Sequence, residues 1–268
     1  MTAIQPCALL LLVGPDWQLE AVSANASMLG EVRPATLIGQ PLADLIGSKA
    51  IHSLRNRMSW LSSDESEVQD FGAQWGDATL DVRAMRASDH YLIEAELAVE
   101  PRLPDGIGMV RSMSDRLEGD DPGRLAEQAM RQLTALTGFD HLILLDRNDA
   151  VVAAAQRSKL PPADLAAAKR VRITADRDAE PVAILGGEIP DLVGRAAYSA
   201  PDEPERNRLA DIGMAASMAL PLRIDGELVG AVHALHHAPR RCGAERRSVA
   251  HLFAERLVAR MARCGWRP

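Results

Sequence analysis

The sequence predicts a two-domain α+β protein in which each domain has a central antiparallel sheet flanked by helices. The length of 268 residues is enough for two domains with separate cores. Short alternating apolar runs, typical of strands with one buried face, occur in both halves together with helical segments. Two prolines and a glycine interrupt the pattern at residues 101–106. We therefore predict domains at residues 1–103 and 104–268.

The N-terminal half begins with an apolar strand at residues 7–13, followed by a turn signal and a second strand at residues 18–22. Helical stretches are predicted at residues 23–30, 34–46 and 51–61. A polar run at residues 62–70 precedes two alternating segments, residues 78–85 and 91–99, which predict antiparallel strands. This order of elements resembles a PAS domain.

Helices at residues 107–118 and 124–136 open the C-terminal half, and Gly138 suits a left-handed helix cap. Paired strands are predicted at residues 141–145 and 151–155, and residues 165–170 are helix-prone. The clearest hairpin joins residues 216–224 and 227–235 through Asp225-Gly226, which favours a type I′ turn because glycine tolerates positive φ. The last helix, residues 244–263, has its apolar positions on one face: Val249, Leu252, Phe253, Leu257 and Met261.

Composition and charge narrow the function classes. The chain is 47% apolar and 25% charged, as in soluble globular proteins, and its net charge of −7 does not favour a nucleic-acid or anionic-membrane partner. The apolar run at residues 7–13 is too short to span a bilayer. The three cysteines form no CxxC pair, so we predict a cytoplasmic protein without a disulfide framework or a metal site. No catalytic motif stands out, so no enzyme is predicted.

Several motifs occur in the order and spacing of one family. Residues 4–10 (IQPCALL) and 22–26 (VSANA) resemble the start of the PAS domain of bacteriophytochromes. Four further segments resemble the GAF domain of that family: residues 136–140 (LTGFD), 171–176 (VRITAD), 212–218 (IGMAASM) and 226–230 (GELVG). The chain is therefore similar to a divergent bacteriophytochrome photosensory core. The resemblance implies a PAS domain, a helical linker, a GAF domain and a C-terminal helix.

Several differences from the family concern features with which its members bind and hold their chromophore. Bacteriophytochromes attach biliverdin through a cysteine upstream of the PAS domain, whereas this sequence starts just before Ile4, so we expect neither that cysteine nor the family's PHY domain. Cys7 stands where the family has a histidine and is expected to pack in the core. Glu205 or a neighbour replaces the pocket histidine. The loop at residues 181–195 is short, so we expect an unknotted chain or only a vestige of the family's knot.

The resemblance also implies candidate binding residues. The family positions that match Arg172 and Arg195 clamp the propionates of the bilin, although such arginines more often form ordinary ion pairs. Asp164 is the plausible counterpart of the pocket aspartate, and His236 that of a pocket histidine. His236, His233 and His237 are the only histidine cluster, but a strand places His233 and His236 on opposite faces, which disfavours a metal site built from these three.

Three functional hypotheses follow. The leading one is a non-enzymatic signalling or regulatory protein that binds a protein partner, dimerises through the last helix and needs no cofactor. The alternative is a sensor that binds biliverdin or haem noncovalently between Arg172, Arg195, Asp164 and His236. A weaker third is a partner of a haem-handling enzyme. A cavity large enough for a tetrapyrrole would favour the second hypothesis, and a pocket filled by Leu and Met side chains would favour the first.

Overall fold

A computed structural model describes residues 3–61, 66–87, 89–156, 168–187 and 193–268. The chain forms two compact units. Unit 1 consists of Met1–Glu100 and Ala179–Ala200, and unit 2 consists of Pro101–Asp178 and Pro201–Pro268. Residues 179–200 thus interrupt the sequence of unit 2 and belong to unit 1. The α+β class is confirmed, while the domain boundary after residue 103 stays a prediction.

Within the described residues, unit 1 contains an antiparallel sheet whose strands are numbered along the whole chain. The strands are β1 (Ala3–Ile4), β2 (Ala8–Val13), β3 (Leu19–Ser23), β4 (Glu67–Trp75), β5 (Ala78–Ala87), β6 (His90–Leu97) and β10 (Val182–Gly186), in the spatial order β1-β10-β3-β2-β6-β5-β4. Every residue of β2 is buried, which explains its unbroken apolar run, because a central strand covered on both faces needs no polar positions.

One face of this sheet is covered by short helical elements. Two 3₁₀ turns, Ala26–Leu29 and Pro34–Thr36, precede the helices α1 (Leu42–Ile46) and α2 (Ser48–Met58). Ile51, Leu54 and Met58 of α2 are buried in a core cluster with Leu9 and Leu11 of β2. The predicted helical stretches in this half therefore match helical elements, the first two of them as shorter pieces.

Strands β4 and β10 differ from the sequence prediction. The first four residues of β4, Glu67–Asp70 in the polar run, lie at the edge of the sheet, where partly exposed polar side chains are compatible with strand pairing. β10 lies in the segment expected to be a short loop, and it pairs with both β1 and β3. The N-terminal strand and the inserted segment are therefore hydrogen-bonded neighbours in unit 1.

Unit 2 contains a second antiparallel sheet in the described residues. Its strands are β7 (His141–Asp146), β8 (Val151–Gln156), β9 (Arg172–Thr174), β11 (Ala216–Ile224) and β12 (Glu227–His236), in the order β8-β7-β12-β11-β9. The predicted hairpin is present with both turn residues at positive φ, 50° at Asp225 and 85° at Gly226, as a type I′ turn requires. The helix-prone segment 165–170 lies mostly outside the described residues.

Four helices of unit 2 are described: α3 (Gly106–Asp115), α4 (Pro122–Thr137), α5 (Glu203–Asp211) and α6 (Ala244–Arg263). Gly138, at φ 70° and ψ 18°, is the left-handed cap of α4 as predicted. The apolar face of α6 packs against α3, α4 and β11 and is buried, except for Leu252, which is 44% exposed. Because its own domain buries most of this apolar face, little apolar surface of the helix remains for the predicted dimer contact.

The start of α6 carries Arg246 and Arg247 together with the acidic residue Glu245. Glu245, in the first turn, forms an ion pair with Arg102 at 2.6 Å and accepts a hydrogen bond from the Leu103 N–H at 2.9 Å. Arg247 donates to the backbone carbonyl of Cys242. An acidic group near a helix N-terminus interacts favourably with the helix dipole, so Glu245 offsets the unfavourable placement of the arginines.

Candidate functional site

The strand register of unit 2 places Arg172 and His233 on one sheet face. Residues paired across antiparallel strands share a face. One row therefore contains Arg172, Ala219 and His233, and the next row contains Thr174 and Ser217. Resemblance to bacteriophytochromes predicts Arg172 in a tetrapyrrole pocket, so this face is where such a pocket would have to lie.

The guanidinium of Arg172 already forms an ion pair with an acidic side chain. Glu205 lies in the first turn of α5, whose N-terminus is capped by Asp202 through the Glu205 N–H. Its Oε2 atom is 3.1 Å from Nη2 of Arg172, and its Oε1 atom accepts the hydroxyl proton of Thr174 at 2.6 Å. The Glu205 side chain is only 13% exposed. Glu205, one of the residues predicted to replace the family's pocket histidine, therefore supplies Arg172 with a carboxylate partner.

Aliphatic side chains fill the adjoining part of the same face. Six buried residues form one cluster: Ile143, Leu145, Leu209, Ile212, Met214 and Leu235. Three of them come from β7 and β12, and the others from α5 and the residues that follow it. A macrocycle placed on this part of the face would therefore lie against buried aliphatic side chains.

The four predicted binding residues are not assembled into one described site. Asp164 lies outside the described residues. Arg195 is half-buried in unit 1, between the buried residues Val193 and Ala196. In unit 2, Arg172 lies opposite Ala219 and His236 lies opposite Ala216. An odd separation of three positions along β11 puts these two residues on opposite faces, with their backbones about 10 Å apart along the strand direction.

A cluster that the sequence analysis missed lies at the end of β12. Asp140 directly precedes β7, and pairing of His141 with Leu235 brings Asp140 beside His236. Oδ2 of Asp140 is 3.3 Å from Nε2 of His236, and it also contacts Nδ1 of His237. The two imidazole rings stack with their centroids 4.6 Å apart. The histidine pair was recognised from the sequence, but its acidic partner depends on the register of two strands distant in the chain.

The electrostatics of this cluster favour an ionised aspartate. Asp140 and His236 are buried, whereas His237 is 68% exposed at its side chain. Burial by itself raises the pKa of Asp140. The hydrogen bond from His237 and the positive charges of both histidines outweigh burial, so the pKa of Asp140 lies below its ordinary value. The cluster therefore presents a carboxylate and two imidazoles at a partly exposed position.

Comparison with known families agrees with this architecture. A family model described as a PAS fold matches residues 1–98, and a GAF domain model matches residues 121–261, more than half of the chain. The chain belongs to the GAF domain family. The predicted order of a PAS domain followed by a GAF domain is thereby confirmed. No curated protein matches the sequence.

Solved structures give the same result for the fold of this PAS–GAF chain. The chromophore-binding domain of Stigmatella aurantiaca phytochrome P1 is 23% identical with a TM-score of 0.78, and the match covers 96% of this chain and 95% of that one. The chromophore-binding domain of an unusual bacteriophytochrome from R. palustris is 22% identical with a TM-score of 0.78, covering 98% and 95%. The photosensory core module of the Stigmatella phytochrome has a TM-score of 0.80 at 22% identity, and the match covers 97% of this chain and 58% of that module.

These matches confirm the predicted resemblance at the level of the fold. The PAS–GAF chain has the fold of a bacteriophytochrome chromophore-binding domain. In the described part of the chain, every helix is too short or too polar to cross a membrane.

Proposed function

We propose that this PAS–GAF chain is a cytoplasmic signalling or regulatory protein that acts by binding other proteins, without a covalently attached bilin. The observation that carries this proposal is the pairing of Arg172 with Glu205 beside the aliphatic cluster of unit 2. Buried Leu, Ile and Met side chains beside this ion pair support a domain that works without a chromophore. The nucleic-acid and membrane classes have no support from charge or hydropathy.

A tetrapyrrole at Arg172 would face an intramolecular competitor. Its propionate would have to displace Glu205, which is tethered beside the guanidinium and is therefore present at a high effective concentration. Displacement would also remove the acceptor of the Thr174 hydroxyl, which is buried. Binding of biliverdin or haem at this position would thus break the contacts of Glu205 with Arg172 and Thr174 and disturb the adjoining aliphatic cluster.

The helical side of unit 2 offers a surface for a protein partner. Ile107 of α3 is 70% exposed and Leu252 of α6 is 44% exposed. Between α3 and α4 lies a cleft of about 520 Å³ whose lining includes Met109, Met113 and Leu136. Exposed apolar side chains are typical of protein interaction sites, and the methionines of the cleft could adapt to a partner's shape. A second copy of this chain is one partner that the surface fits.

The first prediction separates this proposal from the tetrapyrrole alternative. When the purified protein is mixed with one equivalent of biliverdin, or separately of haem, we expect an absorption spectrum equal to the sum of protein and free pigment. A red-shifted, sharpened bilin band, or a shifted Soret band, would overturn the proposal. If such a band were lost in Arg172→Ala but kept in Arg170→Ala, an exposed arginine two residues away, the sensor alternative would replace it.

The second prediction concerns assembly. We expect the wild-type chain to have twice the monomer mass of 29.0 kDa in light scattering after size exclusion. The double variant Ile107→Glu/Leu252→Glu should be a monomer, because two charges would have to be buried in the interface. Val151→Glu is the matched control, since Val151 is 65% exposed on β8, and it should remain dimeric. A monomeric wild type would contradict the dimer and leave only a different protein as partner.

A further inference from the structure

We propose that Asp140, His236 and His237 of the GAF unit bind one transition-metal ion, with Zn²⁺ the best match. This site is independent of the proposed protein–protein function and of the sheet face that carries Arg172. Each of the three residues offers one ligand atom, and all three atoms lie within 4.8 Å of one another. Two imidazoles and a carboxylate are a ligand set that suits Zn²⁺, and imidazole disfavours Mg²⁺ and Ca²⁺.

The spacing of the donor atoms fits tetrahedral coordination. With metal–ligand bonds of about 2.1 Å, two ligands of a tetrahedral zinc ion are separated by about 3.4 Å. Nε2 of His236 and Oδ2 of Asp140 are 3.3 Å apart, which agrees with that separation. His237 is in hydrogen-bond contact with Asp140, so its ring would have to move outward on metal binding. Its exposed side chain has the freedom to do so.

The backbone around His236 can hold either tautomer of its ring. Nδ1 is 2.8 Å from the carbonyl oxygen of Ala238 and 3.1 Å from the amide nitrogen of the same residue. With the proton on Nδ1, the ring donates to the carbonyl, and the lone pair of Nε2 points toward Asp140. A histidine ligand that donates its other N–H to a backbone carbonyl is the usual arrangement in metal sites. With the proton on Nε2, the ring instead donates to Asp140 and accepts from the Ala238 N–H.

The surroundings fix two ligands and leave the third accessible. Phe139 meets the His236 ring edge-on, with centroids 6.1 Å apart, and the Asp140 N–H donates to the Leu235 carbonyl at 3.1 Å. These contacts hold the buried pair in place before any ion arrives. His237 is exposed, so an ion can enter from solvent and keep a fourth, exchangeable position for water or for a ligand from another molecule.

The test uses the full chain without a histidine tag, treated with a chelator and then titrated with ZnCl₂ in a calorimeter. We expect one ion per chain for the wild type. His237→Ala should weaken binding at least tenfold, whereas His52→Ala, an exposed histidine of unit 1, should leave affinity unchanged. Zn²⁺ should also raise the melting temperature of the wild type and of His52→Ala by more than it raises that of His237→Ala.

A second ion reports the coordination itself. Co²⁺ in place of Zn²⁺ should give the visible absorption bands of a tetrahedral site in the wild type, and these bands should be lost in His237→Ala. No stoichiometric binding by the wild type, or equal affinities of the wild type and His237→Ala, would overturn the proposal and leave the cluster as a hydrogen-bonded aspartate–histidine pair. Because His237 is exposed, its variant is expected to fold, so the test does not depend on substituting the buried Asp140.

Discussion

Glu94→Gln should lower the free energy of unfolding of unit 1 by about 3 kcal/mol, because it breaks a buried ion pair by removing one charge. Glu94 lies on β6 with its side chain only 5% exposed, and its Oε2 atom accepts from Nη1 of Arg83 at 2.5 Å. The two oxygens also accept from the backbone N–H groups of Ala197, at 3.0 Å, and Tyr198, at 3.1 Å. One carboxylate thus holds a buried guanidinium and the end of the inserted segment 179–200.

The arginine cannot relieve the loss by giving up its proton. An arginine side chain stays protonated in proteins, and in the wild type burial lowers the pKa of Arg83 less than the charges of Glu94 and Glu67 raise it. The carbonyl oxygen of a glutamine at position 94 can accept the hydrogen bonds of Arg83 and Ala197 in one amide orientation, or that of Tyr198 in the other, but its NH₂ group then faces a donor. The remaining donors would be buried without an acceptor, which costs the desolvation free energy of each.

Urea unfolding followed by tryptophan fluorescence measures this effect, since Trp75 is buried in unit 1. Glu67→Gln is the matched control. Glu67 is the other carboxylate partner of Arg83, with Nη2–Oε2 at 2.5 Å, but its side chain is 31% exposed. Solvent can replace it, so we expect a loss below about 1 kcal/mol. Equal losses of unfolding free energy in the two variants would contradict this expectation. They would mean that the burial of Glu94 and its hydrogen bonds to Ala197 and Tyr198 add nothing to the ion pair with Arg83.

The elements that sequence alone predicted are those whose signals are local. The hairpin of β11 and β12 follows from Asp225-Gly226 between two alternating runs, and the span of α6 follows from its helical periodicity. β4 was missed because an edge strand tolerates the polar residues that suggested a loop. β10 was missed because its strand identity comes from pairing with β1 and β3, which are more than a hundred residues away in the sequence.

The candidate sites depend still more on long-range register. Motif resemblance selected Arg172 and Glu205 separately, but only the placement of α5 over β9 shows that they neutralise each other. Likewise His236 and His237 were noticed, while Asp140 becomes their neighbour through the pairing of β7 with β12. Residue types are readable from the sequence, whereas the distance between two functional groups far apart in the chain is a property of the packed structure.

The inserted strand β10 provides the second large expected effect. Gly186→Ala should destabilise unit 1 by about 3 kcal/mol, since it combines backbone strain with a collision. Gly186 has φ +118°, and a Cβ there would lie 2.2 Å from the carbonyl oxygen of Glu20 and 2.8 Å from Cα of Ala21. Ala21 of β3 pairs with Gly186 of β10, so the added methyl group would force these two strands apart.

The adjacent glycine is a control of the same chemistry. A Cβ on Gly187 would meet no atom within 4 Å, so the midpoint of urea unfolding of Gly187→Ala should equal that of the wild type. Hydrogen exchange should show lost protection at β10 and β3 in Gly186→Ala alone. A Gly186→Ala variant as stable as Gly187→Ala would mean that the segment is not docked on β3.

Gly186 and Glu94 both contribute contacts that attach the inserted segment 179–200 to unit 1. The losses of unfolding free energy caused by substituting them should therefore not add. Glu94 binds the backbone of Ala197 and Tyr198, while Gly186 lies at the end of the strand that enters unit 1. Once one substitution has released the segment, the second has fewer contacts left to break, so the double variant should lose less than the sum of the single losses. Strict additivity would instead mean that β10 and the Glu94 contacts are separate attachments, each stable when the other is lost.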